Sequence, residues 1–407
     1  MIRFPVKNFL FYSLSICILL MLISVAHARD LLLTAEFIAD INKPNNNKFT
    51  NTTPVNSECQ RYCRPGESMI QIPGFNPYKD LDTYAEPNED HFFASIDGEF
   101  KEIELIKHDN PNIKTKARFR LSNIGIIYKR LNNEDGDLRQ AAWTIHHPVG
   151  GCTNFRAEST PDYVISGWRL PEKMLSCYTR LNQASPFKGK VQVESFSLGY
   201  YLELPNPLIL VSGDYDGEIT YKISNKQENK AIGIGNADYN GETEIRFILK
   251  ATVKHAFHYR FAPGSENVRL AAKGGWHQWV NGGRTPDELS KEVPFTLASS
   301  SSFQIWMQCE FPQGNACGLQ NTRTGASVPL DVLLTLPGFT QGGKLLIATP
   351  LDTRSEGHTI DPPSEYITLR RAKLDFRVRR TAVEKMVKEP GSTWRGTVTL
   401  VIDSQMD

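Results

Sequence analysis

The segment WRGTVTLVIDSQMD (Trp394–Asp407) indicates the fold class of this chain. Its apolar residues Val398, Leu400 and Ile402 alternate with polar ones. Successive side chains of a β-strand point to opposite faces, so this period predicts a strand with one apolar face. No further strand follows it in the sequence, and we expect another element to cover that face.

The same alternation recurs along most of the chain. Glycine, proline, asparagine and aspartate turns separate the alternating segments, a pattern typical of β-sandwiches and barrels. Only Thr381–Gly391 predicts a helix, because Thr381 and Glu384 have the spacing of a capping box and Pro390-Gly391 ends the segment. The clearest predicted strands are 31–41, 117–131, 189–204, 243–261, 301–311, 328–336 and 372–380.

The amino terminus predicts export. Arg3 and Lys7 precede a nearly uninterrupted apolar run, 9–25, which ends at the small-x-small site 26–28. These are the three parts of a secretory signal peptide, so we expect residues 1–28 to be removed. An uncleaved membrane anchor is the alternative, because the run is barely long enough to span a bilayer.

The cysteines predict disulfides. Seven cysteines are present, and Cys17 leaves with the signal peptide. An even number in an exported chain is typical of paired cysteines. Proximity pairs Cys309 with Cys317, and the other four then pair among themselves. Zinc is the alternative for the closely spaced Cys59 and Cys63, but no neighbouring histidine completes a ligand set. The predicted disulfide residues are Cys59, Cys63, Cys152, Cys177, Cys309 and Cys317.

Charge and motifs exclude several functions. The chain has 46 Lys and Arg against 45 Asp and Glu, a balance that argues against a nucleic-acid partner. No H-E-x-x-H or G-x-S-x-G motif is present. His255 and His258 would point to opposite faces of a strand and cannot chelate one ion. We therefore predict a protein that is not an enzyme and has no cofactor and no metal.

A repeated pattern divides the mature chain. Tyr215–Ile223 (YDGEITYKI) and Trp394–Ile402 (WRGTVTLVI) share an aromatic-x-Gly-x-branched-Thr order, and each closes a block of strands. The polar, glycine-rich stretch 224–242 separates the first copy from the next long strand and is typical of a linker. We predict two β-domains, residues 29–230 and 241–407, joined by a linker at 231–240.

Aromatic and polar side chains concentrate in the first predicted domain, between Cys152 and Cys177 and just before them. Aromatic faces beside amide and charged groups suit sugar recognition. The alternative is that the aromatic residues are core residues packed on a disulfide. The candidate receptor-binding residues are Trp143, His146, His147, Arg156, Trp168 and Tyr178. In the second domain Trp276 and Trp279 lie in a glycine-rich loop, 274–284, which is either a contact surface or a plug.

Four segments together resemble the two-domain tip adhesins and minor subunits of chaperone-usher fimbriae of Gram-negative bacteria. They span most of the mature chain in layout: FTNTTPVNSEC (Phe49–Cys59), YDGEITYKI, 274–311, and MVKEPGSTWRGTVTLVIDSQM (Met386–Met406). The resemblance implies two immunoglobulin-like β-sandwiches in tandem. The first would bind a receptor, a host-surface glycan or protein, and the second would be a pilin domain that lacks its last strand.

The resemblance also implies partners and a location. A periplasmic chaperone, and then the adjacent pilin subunit, would supply the missing strand by donor-strand complementation, and an outer-membrane usher would export the chain to the fimbrium tip. Val398, Leu400 and Ile402 would then line the acceptor groove. The chain departs from many pilins in having Met406 at the penultimate place and Trp394 fourteenth from the end.

Three alternatives stay open. The chain could be a structural minor pilin or assembly initiator without a receptor, or a secreted carbohydrate-active β-sandwich enzyme. Leu31–Ile41 (LLLTAEFIADI) could be a donor strand for another subunit or the first strand of the first domain; the large disulfide-bearing domain favours the latter and a tip position.

Overall fold

The computed structural model describes residues 27–404 apart from 44, 55, 87, 133–136, 182–185, 355–357 and 364–368. The predicted signal peptide 1–28 lies almost wholly outside the described residues, and Met406 also lies outside them. Within the described ranges, no helix is long and apolar enough to cross a membrane.

The first part of the chain forms one continuous hydrogen-bonded sheet that encloses a large hydrophobic core. Its central strands are β7 and β11, which are long and antiparallel. The strands are β1 (His27–Ile38), β2 (Thr50–Asn51), β3 (Glu67–Gln71), β4 (Tyr78–Asp82), β5 (Phe93–Asp97), β6 (Lys101–Lys107), β7 (Asn110–Arg130), β8 (Thr153–Ser159), β9 (Tyr163–Arg169), β10 (Met174–Tyr178), β11 (Lys188–Glu203), β12 (Gly213–Ile223), β13 (Ala231–Gly233), β14 (Ala237–Asp238) and β15 (Glu242–Lys254). The helices are α1 (Cys59–Tyr62) and α2 (Leu138–Ala141), with 3-10 turns at Asn88–Asp90, Ala142–His146 and Pro207–Ile209.

The rest of the chain forms a second, smaller β-unit with its own core. Strands β18, β22 and β25 form the centre of its main sheet, and β24, β19 and β27 form a small separate sheet. The strands are β16 (Phe257–Phe261), β17 (Ala271–Ala272), β18 (Glu288–Ser299), β19 (Phe303–Cys309), β20 (Pro312–Gln313), β21 (Ala316–Asn321), β22 (Ser327–Gln341), β23 (Lys344–Pro350), β24 (His358–Ile360), β25 (Arg370–Arg379), β26 (Trp394–Arg395) and β27 (Val398–Asp403). The helices are α3 (His277–Val280) and α4 (Arg380–Val387).

The predicted all-β fold with two units is confirmed. Alternation in the sequence explains it locally. In β15 every second residue from Ile245 to Val253 is buried, while the residues between them are at least partly exposed. The free energy gained by burying that apolar face holds the strand in its register.

Strand β1 belongs to the first unit. It pairs in parallel with β15, so that Leu31 lies beside Phe247 and Leu33 beside Leu249. All four side chains are buried. The segment 31–41 could be a donor strand for another subunit or the first strand of the first domain. In the structure it forms the first strand of the first unit.

The predicted linker, 231–240, is wrong. Ala231, Ile232 and Ile234 are buried in the first core, and β13 pairs with both β5 and β12. Strand β15, expected to open the second domain, instead hydrogen-bonds β1 and β12. The glycines among these apolar residues made the segment resemble a linker in the sequence, although it forms the short buried strand β13. We propose that the boundary between the units lies at 255–256, where the two sheets separate.

His255 connects the two units by hydrogen bonds at their boundary. Burial lowers the pKa of its imidazole, which is therefore neutral at pH 7. Nε2 donates to the Leu210 carbonyl oxygen at 2.7 Å, and Nδ1 accepts from the Ser300 hydroxyl at 2.9 Å. The side chain thus links a turn of the first unit to the β18–β19 connection of the second.

Candidate functional site

A groove with a volume of about 1350 Å³ opens in the second unit. Its floor consists of apolar side chains from the three central strands, and most of them are buried in the second core. These floor residues are Leu289 and Val293 of β18, Leu330 and Val332 of β22, and Leu374 and Phe376 of β25. The remaining lining comes from Leu319 of β21, strands β26 and β27, helix α4 and the turn after it, the chain segment 261–270, and the loop that holds α3.

Strand β27 forms one margin of this groove. Among the described residues it hydrogen-bonds β19 along one edge and has no strand on the other. Val398 and Leu400 line the groove, and both are half-buried. Their role in accepting a donated strand stays a prediction. Ile402 packs beside them on the second core but does not line the groove.

A free strand edge beside an apolar groove can bind another extended polypeptide segment. The unpaired N–H and C=O groups of an edge strand are a template for another extended backbone. Apolar pockets next to that edge accept the alternate side chains of such a strand. The arrangement suits a β-strand better than a compact small molecule, because β27 alone, with six residues, extends for about 20 Å.

Helix α4 closes part of the groove. Ala382 and Val383 are buried, and Met386 and Val387 contribute further apolar lining. The helix is confirmed, but it begins at Arg380, so the predicted cap Thr381 lies inside its first turn. Arg380 pairs instead with Glu384 one turn later at 3.1 Å.

The rim of the groove carries charges of both signs. Glu266, Arg269, Glu389 and Arg395 all belong to the lining. Glu389 also pairs with Arg323 at 3.4 Å. Mixed charge gives no strong net field, so apolar contact and backbone hydrogen bonding would select the occupant.

Sequence reasoning did not assign Trp276 and Trp279 to this groove. Both indoles line it, and their exposed fractions are 39% and 37%. In the sequence, the two tryptophans lie between two glycine pairs. That pattern did not decide whether the loop is a contact surface or a plug. No signal in the sequence pointed to residues 262–270, because they lie between two strands, β16 and β17.

Three of the candidate receptor residues are exposed in the first unit. Trp143 lies in the 3-10 turn after α2, with 72% of its surface exposed. Its ring centroid is 6.0 Å from that of His146. His146 and His147 are also exposed, and the rings of Trp143 and His146 together present an aromatic surface to solvent.

The other three candidates lie elsewhere. Trp168 was wrong as a contact residue: it is 2% exposed and donates from Nε1 to the Ile145 carbonyl oxygen at 3.1 Å. Its burial in the first core fits the alternative of a core residue. Tyr178 is half-buried and stacks on Phe93, with ring centroids 6.5 Å apart. Arg156 pairs with Glu58 and Glu158 beside the Tyr62 ring.

The three disulfides are present. Cys309 pairs with Cys317, as proximity predicted, and the first-unit cysteines pair among themselves. The first-unit bonds are Cys59–Cys63 and Cys152–Cys177. Among the residues described, there is no group of three or more His, Cys, Asp or Glu side chains placed to hold a metal ion.

Comparison with solved structures gives distant likenesses. A chain of the chaperone–tip adhesin complex of CFA/I fimbriae is 11% identical, with a TM-score of 0.26, over 93% of this chain and 96% of that one. A chain of the CsuC–CsuE chaperone–tip adhesion subunit pre-assembly complex, from the archaic chaperone-usher Csu pili of Acinetobacter baumannii, is 8% identical, with a TM-score of 0.23, over 93% and 99%. Scores this low do not establish a shared fold. No protein-family model matches the sequence, and no curated protein does.

Proposed function

We propose that this protein is an exported subunit of a chaperone-usher fimbria, and that its second unit accepts a β-strand from another polypeptide. The observation that carries the proposal is the apolar groove beside the free edge of β27. A periplasmic chaperone would fill the groove first. The adjacent pilin subunit would replace it after passage through an outer-membrane usher.

The energetics favour such an occupant. Burying one large apolar side chain contributes about 1.5 to 3 kcal/mol. A strand that placed three such side chains against the floor and β27 would therefore contribute on the order of 5 to 9 kcal/mol before its ordering cost, which is comparable with the stability of a whole domain. A chain that exposes this groove would gain greatly from a partner strand.

Periplasmic expression tests the assembly role. The full chain would be produced with and without a fimbrial chaperone, and the soluble protein and its co-purification with the chaperone would be measured. We expect the chaperone to raise soluble recovery and the two proteins to purify together. Equal recovery without the chaperone, and no complex, would remove the assembly role.

We also propose that the first unit binds a surface receptor, with the subunit at the fimbrium tip. The exposed aromatic surface of Trp143 and His146, with His147 exposed next in the chain, supports this part of the proposal, because an aromatic face beside polar groups suits a sugar ring. Arg156 and Tyr178 are partly accessible, but each is engaged by other side chains. We retain them as secondary contacts.

A glycan array with the full chain tests receptor binding. Trp143→Ala should abolish binding to any glycan that the unaltered chain retains, because the indole would supply the main stacking face. Tyr84→Ala is the matched control, since Tyr84 is another exposed aromatic residue of the first unit, at 56% exposure. Glycan binding that survives Trp143→Ala would exclude this surface. Assembly into fibres without any receptor binding would favour a structural minor pilin, and product formation from a glycan would favour the enzyme.

A further inference from the structure

We propose that the loop 273–287 is a clamp for the strand that enters the groove, and that Trp276 and Trp279 hold one apolar side chain of that strand. The inference rests on the proposed acceptor function of the groove. It goes further by assigning a specific subsite and a moving element to it. The partner is an extended polypeptide segment that presents a branched or aromatic apolar side chain to the two indoles.

The length of the loop is the first observation. Strands β17 and β18 are antiparallel neighbours, with Ala272 opposite Leu289. Antiparallel neighbours of this kind are usually joined by roughly two to five residues. Here the connection runs from Lys273 to Asp287 and contains only the single turn of α3. Loops of this length inside a compact unit are uncommon, and many of those that occur are binding loops.

The placement of the two tryptophans is the second observation. Trp276 is the N-cap residue of α3 and Trp279 lies three residues later inside its single turn, so their side chains lie on the same face. Both line the groove while remaining more than one-third exposed. By contrast, Trp394 in the same lining donates its Nε1–H to Ser392 Oγ at 2.9 Å. In the described part of the chain, the indole N–H of Trp276 and that of Trp279 have no hydrogen-bond acceptor.

The two indoles lie at an open apolar groove and are only partly buried, so a further apolar group could still pack against them. Indoles bury large areas at interfaces and carry much of the binding energy where they become fully desolvated. An apolar side chain that enters the groove at this point would complete their burial. The nearby rim has mixed charge, so a strongly charged peptide would gain nothing further here.

Glycines in the left-handed region flank the tryptophan turn. Gly274, Gly275 and Gly282 have φ angles of 85°, 84° and 77°, which glycine adopts at no steric cost. Beyond these glycines the loop is fixed, on one side by the pairing of β17 with β18. On the other side Asp287 forms an ion pair with Arg380, the first residue of α4, at 3.1 Å. In the proposed clamp, the tryptophan turn between these glycines closes on an occupant while the two ends of the loop keep these contacts.

The test uses the mature full chain and a synthetic peptide of alternating valine and threonine flanked by lysines. Titration calorimetry would give the Kd for the unaltered chain and for Trp276→Ala, Trp279→Ala and Trp276→Phe. Tyr84→Ala is the matched control, because Tyr84 is an exposed aromatic residue of the other unit, at 56% exposure. Hydrogen exchange measured by mass spectrometry would follow the segment 273–287 with and without peptide.

We expect each alanine variant to weaken peptide binding about tenfold or more. Trp276→Phe should retain part of the affinity, and Tyr84→Ala should retain all of it. Exchange in 273–287 should slow when peptide binds the unaltered chain. A Kd within about twofold of the original in both alanine variants, or unchanged exchange in the loop, would overturn the clamp but leave the acceptor groove standing. A peptide that does not bind the unaltered chain at all would overturn both.

Discussion

Replacing Leu400 by alanine should lower both the free energy of unfolding of the chain and its affinity for a bound strand, and the two losses can be measured separately. Leu400 is half-buried at the margin of the groove. A fully buried leucine costs about 2 to 5 kcal/mol when replaced by alanine. In the chain alone we therefore expect Leu400→Ala to lower the free energy of unfolding by only about 1 to 2 kcal/mol. A bound strand would bury the rest of the side chain, so a further 1 to 2 kcal/mol or so should be lost from binding, which is about tenfold in Kd.

Two control variants make the result specific. Val401 lies on the same strand and is half-buried, but it does not line the groove. Leu336 is 1% exposed in the second core and also does not line the groove. Val401→Ala and Leu336→Ala should destabilise the chain and leave the Kd unchanged.

Urea unfolding would measure stability, and calorimetry with the valine-threonine peptide would measure affinity. Two results would refute the reasoning. One is an unchanged Kd in Leu400→Ala; the other is an equal loss of affinity in Val401→Ala.

Two further predictions concern the first unit. Cys152 and Cys177 are 25 residues apart, and replacing both by serine should lower the free energy of unfolding by about 3 kcal/mol, measured by urea unfolding; a loss below about 1 kcal/mol would contradict this. Burial lowers the pKa of Lys79 from 10.5 to about 7, so between these pH values the unfolded chain binds a proton that the folded chain does not. The free energy of unfolding should therefore rise with pH in this window, by up to about 1.4 kcal/mol per pH unit, and level off below it. Lys79→Met should lose this slope in urea unfolding compared at about pH 7.5 and about pH 9.5, and parallel pH profiles for the two proteins would contradict the assignment.

The sequence predicts what depends on local pattern. Alternation is enough to predict β-strands such as β15, because burial of one apolar face decides the local conformation. Short separation is enough to pair Cys309 with Cys317. The groove residues Val398 and Leu400 were predicted through a resemblance combined with the same alternation.

What the sequence could not predict depends on pairing between distant segments. Residues 231–234 are glycine-rich and look like a linker, yet β13 is held between β5 and β12, and β5 lies far away in the sequence. Trp168 occurs in a polar, aromatic context, but its register on β9 turns it into the core. Lysine is usually exposed, yet Lys79 is fully buried, and its Nζ donates to the Glu89 carbonyl oxygen. Register and long-range packing decided all three positions.

Hydrogen exchange along β27 tests the central claim most directly. That claim is that a strand from outside the second unit completes its small sheet. In the mature chain alone, the backbone amides of Val398–Asp403 that point away from β19 should exchange rapidly, and they should become protected when the valine-threonine peptide binds. Protection of those same amides in the chain alone, with no change on adding peptide, would show that the edge is already paired and would contradict the account.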